Sequence, residues 1–472
     1  MNTPTDLGRS TNPVRFEFDR PLIEKLDGHG PRYTSYPTAD RFTSVFGEDD
    51  YLHWLAQRQI GANAGPVSLY VHIPFCNTVC YYCGCNKIIT KDKTRADLYL
   101  DYLEKELALY AQALGGVTDV VQLHFGGGTP TFLSDDQLTR LMTAIRRHFR
   151  LVPNGEYSIE IDPRKVSAEN VRHLASLGFN RMSVGVQDFE PAVQEAVNRI
   201  QSEEETRVVI DAARASGFRS ISVDLIYGLP LQTVESLTRT IDKVLAMRPD
   251  RLALYNYAHL PTVFMPQRRI NEADLPSADT KLDILQMAVE RFTAAGYDFI
   301  GMDHFALPED DLAIALRQGR LQRNFQGYST HADHDLIAIG VSSIGKVGPS
   351  YSQNEKEIES YYAALDAGHL PVMRGMTLSG DDILRRSVIQ ALMCRFALSM
   401  PAIGETFGIE FESYFAIELE KLREFATLGL VELDEEWITI TPKGRFLIRT
   451  IAMAFDRHLR EKQTQARYSR TI

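Results

Sequence analysis

The sequence predicts an α/β protein: a partial TIM-type (β/α)6 barrel with an N-terminal extension and a smaller, mainly helical, winged-helix-like C-terminal domain. Three observations predict it. From Tyr70 to about Gly301, short apolar runs alternate with longer helical patterns, as in parallel strands joined by right-handed helical crossovers. Glycine and polar residues gather just after those runs, at the strand ends where parallel barrels carry their chemistry. Beyond about Pro371 the alternation stops and helical patterns take over.

The apolar runs place strands at 69–73, 120–125, 157–161, 181–186, 220–226 and 251–255, with a further one at 297–300. Helical patterns fall between them at 96–114, 134–149, 167–177, 202–216, 233–247 and 277–295. Residues 1–56 do not fit the repeat and contain an aromatic, Pro-rich stretch from Gly30 to Thr38. We therefore expect an extension over 1–56 that caps the site, a barrel over 57–365 and a helical domain over 366–472. In the last, short strands around 429–433 and 437–441 precede a final helix, the order of a winged helix. A chain of 472 residues is long enough for two or three such units.

Composition narrows the function. Hydrophobic residues make up 44% and charged residues 24%, within the globular range. Lys plus Arg number 51 against 62 Asp plus Glu, so the net charge is −11. That balance argues against general nucleic-acid binding, which needs a basic face. No run approaches 18 apolar residues, so no membrane span is expected. The first residues lack a basic and apolar leader pattern, and a cytoplasmic location is expected.

The cysteines carry the chemistry. Four of five lie within ten residues, as Cys76, Cys80, Cys83 and Cys85 in the spacing C-x3-C-x2-C-x-C; Cys394 stands apart in an apolar helical stretch and reads as a buried thiol. An exported disulfide scaffold would spread its cysteines, whereas crowding points to a metal centre in a reducing compartment. Structural zinc usually draws on two separated pairs. Three thiolates from one short loop suit a [4Fe–4S] cluster better, leaving one iron for an external ligand.

Other strand-end residues have two readings each. Gly126-Gly127-Gly128-Thr129-Pro130 is either a tight turn or a close backbone approach to a ligand. Glu160 is either solvated or an acceptor for ribose hydroxyls. Gln187 and Asp224, on the next two strands, share that argument. Arg199 is either a surface ion pair or a partner for a carboxylate in the cleft. Two motifs are dismissed. Gly340–Lys346 matches G-x4-G-K, but Val347 replaces the hydroxyl residue of a phosphate loop and Gly348-Pro349 denies it a helix. The C-terminal Arg445, Arg449, Arg457 and Arg460 lack a base-reading set, so a packing or lid role is expected of them.

C-x3-C-x2-C directly after the strand ending Ile73-Pro74-Phe75 resembles the radical S-adenosylmethionine (SAM) superfamily, in which GGGTP-like runs recur after the second strand. Gly30–Thr38, Cys83-Gly84-Cys85-Asn86-Lys87, Asp224–Pro230, Gly301–Phe305 and Arg323–Thr330 narrow the likeness. From about residue 28 onward the chain is similar to the oxygen-independent coproporphyrinogen III oxidases. The resemblance implies a radical SAM barrel whose [4Fe–4S] cluster is held by Cys76, Cys80 and Cys83, with Cys85 a neighbour. It implies two SAM molecules, the first against Tyr70, Tyr82, Gly127, Glu160 and Ile344. The second lies against Gly128, Thr129, Gln187, Arg199, Asp224 and Ala258. The implied substrate is coproporphyrinogen III, whose ring A and B propionates become vinyl groups in porphyrin biosynthesis. A flavodoxin-like electron donor and a monomeric enzyme are expected. Arg32, Arg199 and Lys87, then Arg268 and Arg269, are candidates to balance substrate carboxylates. A related haem chaperone is the rival reading, but as we read that group it lacks the fourth cysteine and the Gly30–Thr38 type of segment.

Overall fold

The computed structural model describes residues 17–58, 65–331 and 334–461. The opening residues read for a leader lie outside this range, as do the ends of the extension and of the helical domain. The chain divides into two compact units. One gathers the described residues of Met1–Arg41, Val289–Ala332 and Leu378–Ile472; the other comprises Phe42–Ala288 and Asp333–Thr377.

The second unit carries the parallel repeat. Strands β1 (Val67–Ile73), β2 (Thr118–Gly127), β3 (Phe149–Ile161), β4 (Arg181–Gln187), β5 (Ser220–Tyr227) and β6 (Arg251–Asn256) lie side by side in chain order. Every pair is parallel. Helices α1 (Thr94–Ala113), α2 (Asp135–His148), α3 (Ala168–Ser176), α4 (Glu203–Ala215), α5 (Val234–Met247) and α6 (Ala278–Ala294) alternate with them. Four of these helices start alike: Ser134, Ser167, Ser202 and Thr233 each cap a backbone N–H three residues on, and that residue's side chain returns the bond. This reciprocal box satisfies donors a helix start would leave open. Strand β1 is buried at six of seven positions, the mark of a sheet covered on both faces; only Tyr70 is partly open.

The sheet extends beyond β1 in a way the sequence pattern did not announce. Strand β7 (Asp335–Ile339) pairs parallel to β1, and β8 (Ile344–Val347), β9 (Ser350–Asn354) and β10 (Val372–Thr377) follow antiparallel. The dismissed G-x4-G-K stretch is the turn from β7 into β8, followed by a strand rather than a helix. Gly348-Pro349 closes a two-residue hairpin with Gly348 at φ +52°, at the position where such turns need positive φ. The predicted strand near 297–300 also exists, as Asp298–Gly301. It is no seventh parallel repeat: it turns at once into His304–Ala306 as an antiparallel hairpin.

Helix α1 is bolted to the β7–β8 turn by buried polar groups. The Glu106 carboxylate accepts bonds from the Gly340 N–H (2.8 Å), the Asn354 amide (2.7 Å) and the Tyr361 hydroxyl (2.5 Å). Burial pushes its carboxyl up to about 7 against those donors. The Tyr99 hydroxyl donates to the His72 carbonyl (2.8 Å) and accepts from the Val341 N–H (3.0 Å). One side chain thus joins the end of β1 to the start of that turn.

In the first unit, α8 (Gly380–Arg395), α9 (Met400–Phe407) and α10 (Ala416–Thr427), numbered after α7 (Ile358–Asp366) of the second unit, surround a small sheet. Its strands are β11 (Ala397–Ser399), β12 (Val431–Leu433) and β13 (Trp437–Ile440), in the order β11-β13-β12. This is the winged-helix order that the tail predicts. Of the basic residues near its end, Arg445 and Arg449 are buried, whereas Arg457 and Arg460 sit in ion pairs nearer the surface. Arg445 lies over the Phe396 ring at 4.7 Å, Arg449 bonds the Pro31 carbonyl (3.1 Å), Arg457 pairs with Asp381 (2.7 Å) and Arg460 with Glu418 (2.6 Å). Cys394 is buried, as expected, and burial pushes its thiol up to about 12.

Replacing Tyr361 by Phe removes one donor from the buried Glu106 carboxylate without changing shape. Y361F is expected to lower stability by about 1–3 kcal/mol, read as a lower urea midpoint. An unchanged midpoint would show that the carboxylate is satisfied without it.

Candidate functional site

The four-cysteine loop leaves the C-terminal end of β1, and its position is set by backbone contact with the turn after β2. The Gly128 N–H donates to the Ile73 carbonyl (2.8 Å) and the Thr129 N–H to the Phe75 carbonyl (2.9 Å). A Cβ on Gly128 would lie 2.6 Å from the Pro74 oxygen, and one on Gly127, at φ +112°, would lie 2.5 Å from the His72 ring. These glycines let two backbones touch. On its other side the loop is held by the Tyr81 N–H to the Val197 carbonyl (2.9 Å), the Asn198 amide to the Val79 carbonyl (2.7 Å) and the Gln267 amide to the Tyr82 carbonyl (3.0 Å). Tyr81 and Tyr82 pack against Val193, Val197, Ile226, Leu229, Tyr257 and Ile270.

All four loop cysteines are free thiols. The Thr129 hydroxyl bonds Cys76 Sγ at 3.4 Å. Cys80 is buried, and its Sγ faces Arg199 Nη1 at 3.7 Å and Arg164 Nη2 at 3.9 Å. A hydrogen bond with Cys85 brings Cys83 down to about 6, helped by Lys87, while burial pushes Cys76 up to about 11. The Lys87 ammonium donates to the Cys83 and Cys85 carbonyls (3.0 and 3.3 Å), so it braces the loop.

A polar layer crosses the strands beside the loop. Tyr70 stacks on His124, with centroids 5.8 Å apart. His124 Nδ1 contacts Ser158 Oγ at 2.6 Å and its Nε2 contacts Glu160 at 3.3 Å. The Glu160 side chain keeps 43% of its surface. Burial raises its carboxyl, but His124 and the Gly127 N–H more than offset this and hold it below the usual carboxylate range. Asp224 accepts from Ser183 at 2.9 Å; burial pushes it up to about 7, with the Glu160 charge adding to the rise. The two acids are thereby set apart, one ionised and one able to hold a proton near neutrality.

Most of the remaining predicted residues fall in the same unit. Gln187 ends β4 at φ +68°. Arg199 donates to the Gly185 carbonyl (2.6 Å) and lies 3.6 Å from Asp162. The Ala258 carbonyl, just after β6, accepts from Gln267 at 3.2 Å, and Ile344 opens β8. Arg268 donates to the Pro261 carbonyl (3.0 Å) and Arg269 lies over the Tyr81 ring at 5.3 Å. Arg32 lies in the other unit, ion-paired with Asp303.

Residue-by-residue reading missed His72, His124, Asp162 and Arg164. Strand alternation could have found the two histidines. His72 follows Tyr70 by two, and His124 precedes Gly126 by two, so each shares a face with a singled-out residue.

The donor set fits an iron–sulfur cluster and an adenosyl ligand. Three thiols on one loop are free of disulfides, and cationic and hydroxyl donors face their sulfurs. Of the sixteen buried side-chain polar atoms without a hydrogen-bond partner among the described residues, three are Gln187 Oε1 and Asn256 Oδ1, both at strand ends, and Arg199 Nε, in the guanidinium that faces Cys80. Among those residues no three His, Cys, Asp or Glu side chains form a ready-made site for a single metal ion.

The raised Asp224 carboxyl has a pH consequence for the unloaded protein. Its folded value of about 7 exceeds the ordinary 3.8, so its contribution to stability is present below about pH 4 and is lost as pH rises through 7. The melting temperature of D224N minus that of the parent chain should therefore grow from pH 5 to pH 8. A constant difference would show that Asp224 is not raised.

Comparison with known proteins agrees with this geometry. Residues 70–244 match the family described as the Radical SAM superfamily, and residues 378–447 match the HemN C-terminal domain. The chain is 52% identical over 457 residues to the oxygen-independent coproporphyrinogen III oxidase of Pseudomonas aeruginosa, covering 96% of this chain and 99% of that protein. It is 49% identical over 458 residues to the enzyme of the same name from Escherichia coli, covering 97% and 99%. The solved structure of coproporphyrinogen III oxidase (HemN) from Escherichia coli, described as a radical SAM enzyme, superposes with a TM-score of 0.90 at 48% identity, covering 94% of this chain and all of that one. With that identity along nearly its whole length, and with the thiol loop at the end of β1, the chain belongs to the oxygen-independent coproporphyrinogen III oxidase family.

Proposed function

We propose that this chain is a radical SAM oxidoreductase that converts coproporphyrinogen III to protoporphyrinogen IX without oxygen, acting as a cytoplasmic monomer. Each of the ring A and B propionates gives up one hydrogen atom, CO2 and one electron, leaving a vinyl group. Cys76, Cys80 and Cys83 would hold a [4Fe–4S] cluster, and two SAM molecules would bind beside it. The observation that carries this reading is the placement of those three thiols at the C-terminal end of β1, against the Gly126–Thr129 turn and the Tyr70–His124–Glu160 layer.

When bound, the cluster and SAM supply a one-electron cleavage that generates a carbon radical able to take hydrogen from an unactivated C–H bond. The chain's own residues hold and shield the reactants. Glu160, kept ionised by His124 and the Gly127 N–H, is suited to accept from ribose hydroxyls. Gly127 and Gly128 offer backbone without side-chain bulk. Gln187 Oε1 and Arg199 Nε, both buried and without protein partners among the described residues, are a free acceptor and a free donor for a second adenosyl ligand. Tyr81 and Tyr82 close an apolar wall that keeps water from a radical. An external one-electron donor of the flavodoxin kind would supply the reducing equivalent.

Anaerobically reconstituted protein, given SAM, coproporphyrinogen III and a reductant, should yield vinyl products together with 5′-deoxyadenosine. Tight porphyrin binding without decarboxylation would overturn the reading. The C80S variant should lose cluster absorbance and SAM cleavage, whereas C85S should assemble a full complement of iron. Equal loss of iron in both would make Cys85 a ligand.

A further inference from the structure

The three proposed ligands do not share the same surroundings. Cys76 meets a neutral hydroxyl, and Cys83 meets a thiol and the Lys87 brace. Cys80 meets two guanidinium groups, Arg199 Nη1 at 3.7 Å and Arg164 Nη2 at 3.9 Å. Arg199 has other attachments, to Gly185 and toward Asp162. Among the described residues Arg164 has one anchor besides Cys80. Its Nε and Nη2 grip the two Asp162 oxygens at 2.9 and 2.6 Å, and the same Nη2 is turned to the sulfur.

The anchor is local. Asp162 caps the single turn Pro163–Lys165, accepting from the Arg164 N–H at 3.3 Å. The carboxylate therefore fixes both the backbone and the guanidinium of Arg164. Both side chains are largely buried, at 16% and 18% exposure, where solvent screens a charge weakly. Two cations and one anion leave about one net positive charge beside a single thiolate. A planar guanidinium can hold a carboxylate along one edge and still point an N–H at sulfur, which an ammonium cannot reproduce.

We propose that Arg164, oriented by Asp162, is a positioning residue that presents a guanidinium N–H to the Cys80 sulfur and thereby raises the reduction potential of the cluster. This rests on the cluster reading given above. Hydrogen bonds to cluster sulfurs and net local charge are among the determinants of such potentials. Reduction adds one electron from an external donor, with no bond made or broken in the protein. A nearby cation favours the more negative reduced state, and the Asp162 carboxylate moderates that effect.

The test is an EPR-monitored redox titration of the full chain, reconstituted anaerobically without SAM, with iron and sulfide measured per chain. At the parent midpoint, R164Q should show a reduced-to-oxidised ratio about tenfold lower, equivalent to about 59 mV for a one-electron couple. R164K, which keeps charge but not the fork, should shift in the same direction by less. D162N keeps an acceptor for the cap but removes the counter-charge, so it should shift the opposite way. Titrations of R164Q and D162N that coincide with the parent at full iron content would overturn the proposal. If R164Q holds less iron, D162N decides alone: a higher potential supports the role, and an equal or lower one overturns it. A parent chain that builds no four-iron cluster would instead overturn the cluster reading itself, which the iron and sulfide analysis separates from the first failure.

Discussion

Two backbones lying closer than any side chain would permit are what the site depends on. The turn after β2 presses its amides onto the carbonyls of Ile73 and Phe75, and the residues between have no Cβ because there is no room for one. Parallel strands end with groups the ladder no longer pairs. Here those groups bind one loop to its neighbour and leave the thiols on a rigid edge. A mobile loop would have to pay ordering entropy each time a cofactor bound; this one is tied down along its length.

Charge is arranged around that edge in opposing pairs. Glu160 is held ionised by a histidine and an amide while Asp224, two strands away across β4, is pushed toward protonation. The guanidinium groups of Arg164 and Arg199 stand at Cys80 with Asp162 between them. Burial makes each of these groups costly alone, and the pairing explains how so many ionisable side chains share one polar layer. Gln187 Oε1 and Arg199 Nε have no hydrogen-bond partner among the described residues, so burial leaves both uncompensated by the protein.

Much of the fold was legible along the chain. The six β/α repeats could be read because a buried parallel strand leaves a short apolar run and its helix leaves a capped, 3.6-residue pattern, and the capping boxes at Ser134, Ser167, Ser202 and Thr233 lie within four residues of sequence. The antiparallel extension from β7 to β10 was not legible. Strands β7, β8 and β9 follow one another with no helix between them, so no β/α alternation marks them. Asp298–Gly301 resembled another parallel strand because its apolar run says nothing about the direction of its neighbour.

The sequence by itself determined the cysteine spacing, the glycine turn and the order of the strands, since each is a local pattern whose chemistry is carried by neighbouring residues. Only the tertiary structure decided which distant groups meet: Glu106 with Gly340 and Tyr361, His124 with Glu160, Arg164 with Cys80. Such pairings depend on strand register and on which face a side chain takes. A one-residue slip reverses the face of every side chain, so these contacts are properties of the assembled sheet.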